Sequence, residues 1–106
     1  MTEHSIKVLY FASFAEKLQC REEICSIIEL HASKQAKESK EMTESTEMTV
    51  VVDDLKHYLR SRGHEWQEIF SRPSSVLAAV NLVRVKDDFV LSMGDEVAFF
   101  PPVTGG

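Results

Sequence analysis

An α+β domain, with one mixed sheet packed on one main helix, is what this sequence predicts, and three observations lead there. The chain has 106 residues, enough for one core and too few for two. Its first and last apolar stretches, Ile6–Phe11 and Glu96–Phe100, carry apolar groups on both faces, as strands in the middle of a sheet do. Between them lies one clear amphipathic pattern, Val52, Leu55, Tyr58 and Leu59, at helical spacing.

The elements follow in order. Ile6-Lys7-Val8-Leu9-Tyr10-Phe11 is rich in β-branched and aromatic residues and reads as a strand. Ala12–Leu18 reads as a short helical turn, with Phe14 and Leu18 on one side. Glu22–Leu30 reads as a second strand returning antiparallel against the first. Residues 33–47 alternate Lys and Glu with Ser and Thr, and are expected to be a flexible loop insertion, with a surface helix as the competing reading. The main helix starts near Val51, where Asp53 and Asp54 suit its first turn, and Gly63 is placed to stop it. Trp66, Ile69 and Phe70 form a short apolar turn, with Trp66 read as a core anchor. Val76–Val80 is the third strand, Asn81 begins a bend, and Leu82–Val85 is ambiguous. Met93-Gly94-Asp95 makes a turn into the final strand, Glu96–Phe100. With the first and last strands side by side in the middle, this order is the β-grasp, or ubiquitin-like, arrangement.

Composition narrows function. The net charge of -5 argues against nucleic acid, because neutralising phosphates needs a basic surface. Cys20 and Cys25 have neither the common zinc nor the redox spacing and read as ordinary reduced thiols. His4, His31, His57 and His64 are scattered, so no metal site is expected. Ser74-Ser75 has no nucleophile context, and no phosphate-binding glycine loop is found. Arg60, Arg62, Arg72, Arg84 and Lys86 are expected to be solvated surface rather than a basic patch. With no signal peptide or apolar run of membrane length, a cytosolic protein is the expectation.

The end of the chain carries the chemistry. Pro101-Pro102 fixes φ and removes N–H donors, so the ladder ends and the tail leaves in a set direction. Val103-Thr104-Gly105-Gly106 then narrows to a strand without side chains at its tip. Fully extended, residues 101–106 span about 20 Å, enough to thread a partner's channel. The reactive group expected is the α-carboxyl of Gly106, which is ionised at neutral pH and needs activation, most simply as an acyl-adenylate.

The run Gly94-Asp95-Glu96-Val97-Ala98-Phe99-Phe100-Pro101-Pro102-Val103-Thr104-Gly105-Gly106 resembles the C-terminal signature of the small, sulfur-carrier subunits of molybdopterin synthase. Ile6–Ala12 is similar to that family's first strand, and Leu77-Ala78-Ala79-Val80-Asn81 to its middle strand. The resemblance implies a chain that is not an enzyme by itself. An E1-like adenylyltransferase and sulfurtransferase uses ATP to adenylate Gly106 and turn it into a thiocarboxylate; the carrier itself binds no cofactor. It then docks on the large catalytic subunit, in a heterotetramer, and gives sulfur to cyclic pyranopterin monophosphate. The resemblance also implies that Gly105, Thr104, Pro102 and Pro101 present the tail and that Phe100 and Phe11 meet the partner, although burial in the core is the competing reading and the favoured one for Phe11. The alternatives are a carrier for thiamine or tRNA thiolation, a ubiquitin-like modifier joined to lysines, and a passive β-grasp binding module.

Overall fold

The computed structural model describes residues 5–38 and 49–102, with backbone alone for 33–38 and for Pro73. Its elements are β1 (Ser5–Tyr10), α1 (Ser13–Leu18), β2 (Glu22–Ser26), α2 (Ile27–Glu38), α3 (Val52–Arg60), α4 (His64–Phe70), β3 (Leu77–Val80), β4 (Val83–Val85) and β5 (Glu96–Phe100). The five strands form one sheet in the order β2-β1-β5-β3-β4. β1 and β5 run parallel, paired from Lys7↔Glu96 to Tyr10↔Phe99, and the other three pairings are antiparallel. The expected central pairing of first and last strands is therefore present, and the mixed sheet with helices is the β-grasp arrangement.

The helices cover one face. Burial alternates along β1, β3 and β5, as a pleated strand with one covered side requires. Ile6, Val8, Tyr10, Ala78, Val80, Val97 and Phe99 point into the core, where they meet Val52, Leu55 and Leu59 of α3, Ile27 and Leu30 of α2, and Ile69 and Phe70 of α4. Phe99 sits against Phe70 edge to face at 5.4 Å and stacks near Tyr10 at 6.4 Å, geometries that favour aromatic rings.

Three sequence expectations need correction, and one open reading is settled. The second strand does not extend to Leu30: it stops at Ser26, and Ile27 opens α2. The Ser26 hydroxyl accepts from the Glu29 amide at 3.3 Å, as a helix cap does. Ile27 and Leu30, three apart, then bury together on one side of that helix. The proposed loop 33–47 is helical through Glu38, which fits its Lys, Gln, Ala and Glu content, and residues 39–47 lie outside the described residues. Trp66–Phe70 belongs to a full helix, α4, entered through Gly63 at φ 150, an angle that favours glycine. The ambiguous Leu82–Val85 contributes an edge strand, β4, joined to β3 by a two-residue turn at Asn81 and Leu82 with φ of 51 and 74.

Local chemistry explains the turns. Asn81 donates to Asp95 Oδ1 at 3.0 Å and accepts from the Glu96 amide at 3.1 Å, tying the β3–β4 turn to the start of β5. Asp54 accepts from the Val51 amide at 2.8 Å, closing the acidic half of a capping box; Val51 has no polar side chain for the other half. Gly94, at φ 88, makes the expected turn before β5. Lys56 is buried within α3, and its ammonium donates at 2.7 Å both to the Val76 carbonyl and to Asp87 Oδ1.

Candidate functional site

The face of the sheet away from the helices has no layer over it among the described residues. Ser5, Lys7 and Leu9 of β1, Glu96, Ala98 and Phe100 of β5, and Leu77 and Ala79 of β3 occupy it. Ile24 of β2, 57% exposed, extends the apolar surface to one edge, and Arg84 of β4 stands at the other.

Phe100 is half-buried, the last residue of the central strand, opposite Leu77. Phe11 is 48% exposed, which corrects the core reading favoured for it. The physical reason is local. β1 ends at Tyr10, and the Phe11 amide makes one more ladder bond, to the Phe99 carbonyl at 3.1 Å. The chain then turns at Ala12, with φ 56 and ψ -136. The Phe14 amide closes that turn on the Phe11 carbonyl at 3.1 Å. An L-residue is strained at such angles, and the turn leaves the Phe11 ring outside the core. Phe11 and Phe100 therefore share the end of the sheet from which the tail departs. Pro101 is half-buried and Pro102 exposed, both without regular structure. Thr104, Gly105 and Gly106 lie outside the described residues.

An open groove continues the face toward α1, lined by Leu9, Phe11, Ala12, Ala15, Arg21 and Glu22 among others. Sequence reasoning did not find Leu9, Ile24, Leu77 or this groove as part of a site. The signal available was the alternation in β1, which puts Leu9 and Phe11 on the side opposite Val8 and Tyr10.

Behind the site a polar cluster holds the sheet's edge. Tyr10 donates to Glu23 Oε2 at 2.6 Å. Arg62 grips both oxygens of Glu23, at 2.9 and 3.0 Å. The Arg62 guanidinium also lies over the rings of Trp66 at 4.7 Å and Tyr58 at 5.3 Å. Arg62 is thus committed inside the fold, which corrects the expectation of a solvated surface residue, and Trp66 packs partly buried against the core. Burial, then the hydrogen bond and charge of Glu23, push the Tyr10 hydroxyl pKa up. Burial works to lower the Arg62 pKa, but its bonds to Glu23 outweigh that and hold it above its ordinary value. Burial and Glu23 also push the Cys25 thiol up to about 11, so it is protonated and unreactive at neutral pH. Both cysteines are free thiols. Among the described residues no three His, Cys, Asp or Glu gather as a metal site, and no helix is long and apolar enough to cross a membrane.

A sheet face with no layer over it among the described residues, beside the point where the chain leaves β5, is a docking geometry. Comparison with known proteins decides the family, because residues 28–106 match the model of the ThiS family. The chain belongs to the ThiS family. Over 55 residues this ThiS-family chain is 44% identical to the molybdopterin synthase sulfur carrier subunit of Escherichia coli, covering 52% of this chain and 67% of that protein. It is 35% identical over 52 residues to the subunit of the same name from Haemophilus influenzae, covering 49% of this chain and 63% of that protein. Among solved structures, one described as molybdopterin converting factor, subunit 1, from Pyrococcus furiosus superposes with a TM-score of 0.59 at 28% identity, over 93% of this chain and 98% of that one. Small archaeal modifier protein 1 of Haloferax volcanii shares the fold, with a TM-score of 0.61 at 18% identity over 93% of this chain and 98% of that one.

Proposed function

We propose that this chain is the sulfur-carrier subunit of a molybdopterin synthase and that the Gly106 α-carboxyl is its working group. The observation that carries this reading is the 44% identity to the E. coli sulfur carrier subunit, in a chain whose central strand runs directly into the tail. In the proposed cycle an E1-like enzyme joins the Gly106 carboxylate to AMP from ATP, releasing pyrophosphate. Sulfide-level sulfur from a donor then displaces AMP at the acyl carbon, leaving a thiocarboxylate and free AMP with no change of oxidation state. The charged carrier docks through its open sheet face on the large subunit. Water hydrolyses the acyl–sulfur bond once sulfur has attacked the cyclic pyranopterin monophosphate, and the carboxylate is regenerated. The carrier contributes no acid or base; its part is to dock and to deliver. Phe11 and Phe100, at the root of the tail, supply apolar contact where desolvation is largest.

Carriers for thiamine or tRNA thiolation share the chemistry as far as the thiocarboxylate, and a lysine-joined modifier shares the adenylate. The acceptor separates them. The test mixes the purified chain with the activating enzyme, ATP and a sulfur donor, and reads intact mass. One oxygen-to-sulfur exchange located at Gly106 is expected. Adding a large subunit and the precursor should then give dithiolene product. A thiocarboxylate elsewhere in the chain, or a charged carrier that leaves the precursor untouched, overturns the assignment.

A further inference from the structure

One row of residues crosses all five strands on the open face. Register places Glu22 beside Leu9, Leu9 beside Ala98, Ala98 beside Ala79, and Ala79 beside Arg84. The row therefore begins with a carboxylate at the β2 edge and ends with a guanidinium at the β4 edge, with a large apolar residue, then two small ones, between. Arg84 has no carboxylate partner among the described residues, and Glu22, its side chain 60% exposed, reaches Lys7 only loosely at 3.9 Å.

Such a row is complementary to itself. A twofold axis parallel to the strands and passing over β5 maps β2 onto β4 and β1 onto β3, because β5 is the middle strand. Two copies placed face to face about that axis set Glu22 of each over Arg84 of the other. Leu9 meets Ala79, large against small, and Ala98 meets Ala98, where the lack of bulk allows close approach. The row at the tail end, Phe11, Phe100 and Leu77, is apolar throughout. At the other end two Glu96 approach, each beside a Lys7 in register. Aligned packing of two sheets, about 30° apart, is a common way to cover an open face, and a closed pair of this kind is isologous.

From this charge and size complementarity we infer that the free chain self-associates through its open sheet face as a weak, symmetric homodimer held in register by Glu22–Arg84 pairs. The area sets its strength. Five strands are about 24 Å across and five residues about 17 Å long, so about 400 Å² is covered per copy and about 800 Å² in all, below the roughly 1,200 Å² where stable interfaces begin. The dimer is thus transient, and it competes with any partner for the same face. It hides the apolar surface when no partner is present. This inference is independent of the acyl chemistry.

The test is a charge-swap mixture. Sedimentation and NMR line widths of the parent chain are followed from about 10 μM to about 1 mM at low ionic strength, where a monomer–dimer equilibrium is expected. Arg84→Glu leaves four carboxylates across the contact and Glu22→Arg leaves four guanidinium groups, so each alone associates at least about tenfold more weakly. Mixed in equal amounts, the two variants are opposite in charge at both ends and form a heterodimer at close to the parent's strength. Because both sites are on exposed surface, recovery in the mixture also shows that the single variants remain folded. A parent chain that stays monomeric throughout the range overturns the inference. So does Arg84→Glu that dimerises like the parent, or a mixture in which association does not return.

Discussion

Replacing Lys56 by Met tests whether a buried ammonium stabilises this fold or burdens it. The lysine is 2% exposed, and its charge is met by the Val76 carbonyl and by Asp87, each at 2.7 Å. Met keeps most of the aliphatic stem, so little packing is lost. What disappears is the donor. The Val76 carbonyl, on a residue 2% exposed, would be left without this partner, at about 1–3 kcal/mol. The ion pair itself is worth less, because the Asp87 side chain is 45% exposed and can return to water, and about 0–1 kcal/mol is reasonable. Against both stands the desolvation of the ammonium, which Met avoids. The carbonyl decides the balance, since it stays dry whichever residue faces it. Lys56→Met is therefore expected to lose about 1–3 kcal/mol, which with a urea slope of about 1–3 kcal/mol/M lowers the midpoint by roughly 1 M. Asp87→Asn, which leaves the carbonyl bond intact, should lose no more than about 1 kcal/mol. Equilibrium urea unfolding followed by fluorescence reads both. A Lys56→Met chain as stable as the parent, or more so, refutes the reasoning and shows that desolvation outweighs the hydrogen bonds.

Ala12→Gly removes a Cβ from an L-residue held at φ 56. Relief of about 1–2 kcal/mol, less about 0.4–1 kcal/mol for the freer unfolded chain, predicts a slightly more stable protein. A lower urea midpoint would contradict the strain argument. Phe11→Ser, at a site 48% exposed, should change stability by no more than about 1 kcal/mol yet weaken binding to the large subunit at least about tenfold. Calorimetry giving an unchanged affinity would remove the open face as the docking surface. Stability should fall as pH rises from about 9 to about 11. The unfolded Cys25 thiol ionises first, while burial and Glu23 hold the folded one up to about 11, so the folded state binds more protons in that window. Tyr10, also raised, extends the same slope to higher pH. Cys25→Val should flatten its lower part in unfolding melts at several pH values.

The central pairing of β1 with β5 was legible because both stretches carry apolar groups on two faces, although helices cover only one of those faces. The α3 helix was legible from Val52, Leu55 and Leu59. The break at Ile27 was not, because Glu22–Leu30 contains a continuous apolar and β-branched run in which period alone does not separate strand from helix. The decisive signal was present in Ser26-Ile27-Ile28-Glu29, the spacing of a capping box. Exposure of Phe11 was beyond the reach of composition, since it depends on the backbone angles of Ala12. Arg62 was likewise grouped with surface cations by sequence proximity, whereas its partner Glu23 is 39 residues away. At the candidate site, the diproline after β5 was readable as a local motif, whereas Phe100 and Phe11 were named only through the family resemblance, with Phe11 favoured for the core. The row from Glu22 to Arg84 was not readable, because it exists only once four strand registers are fixed.

The parallel pairing of β1 and β5 has a mechanical consequence. Tension applied between the chain before Ser5 and the chain after Phe100 pulls these neighbours in opposite directions along their length. Their hydrogen bonds then bear the load together, in shear, instead of opening one after another like a zip. A pull on the chain after Phe100 is thereby spread along the whole of β5 instead of peeling the sheet from one end.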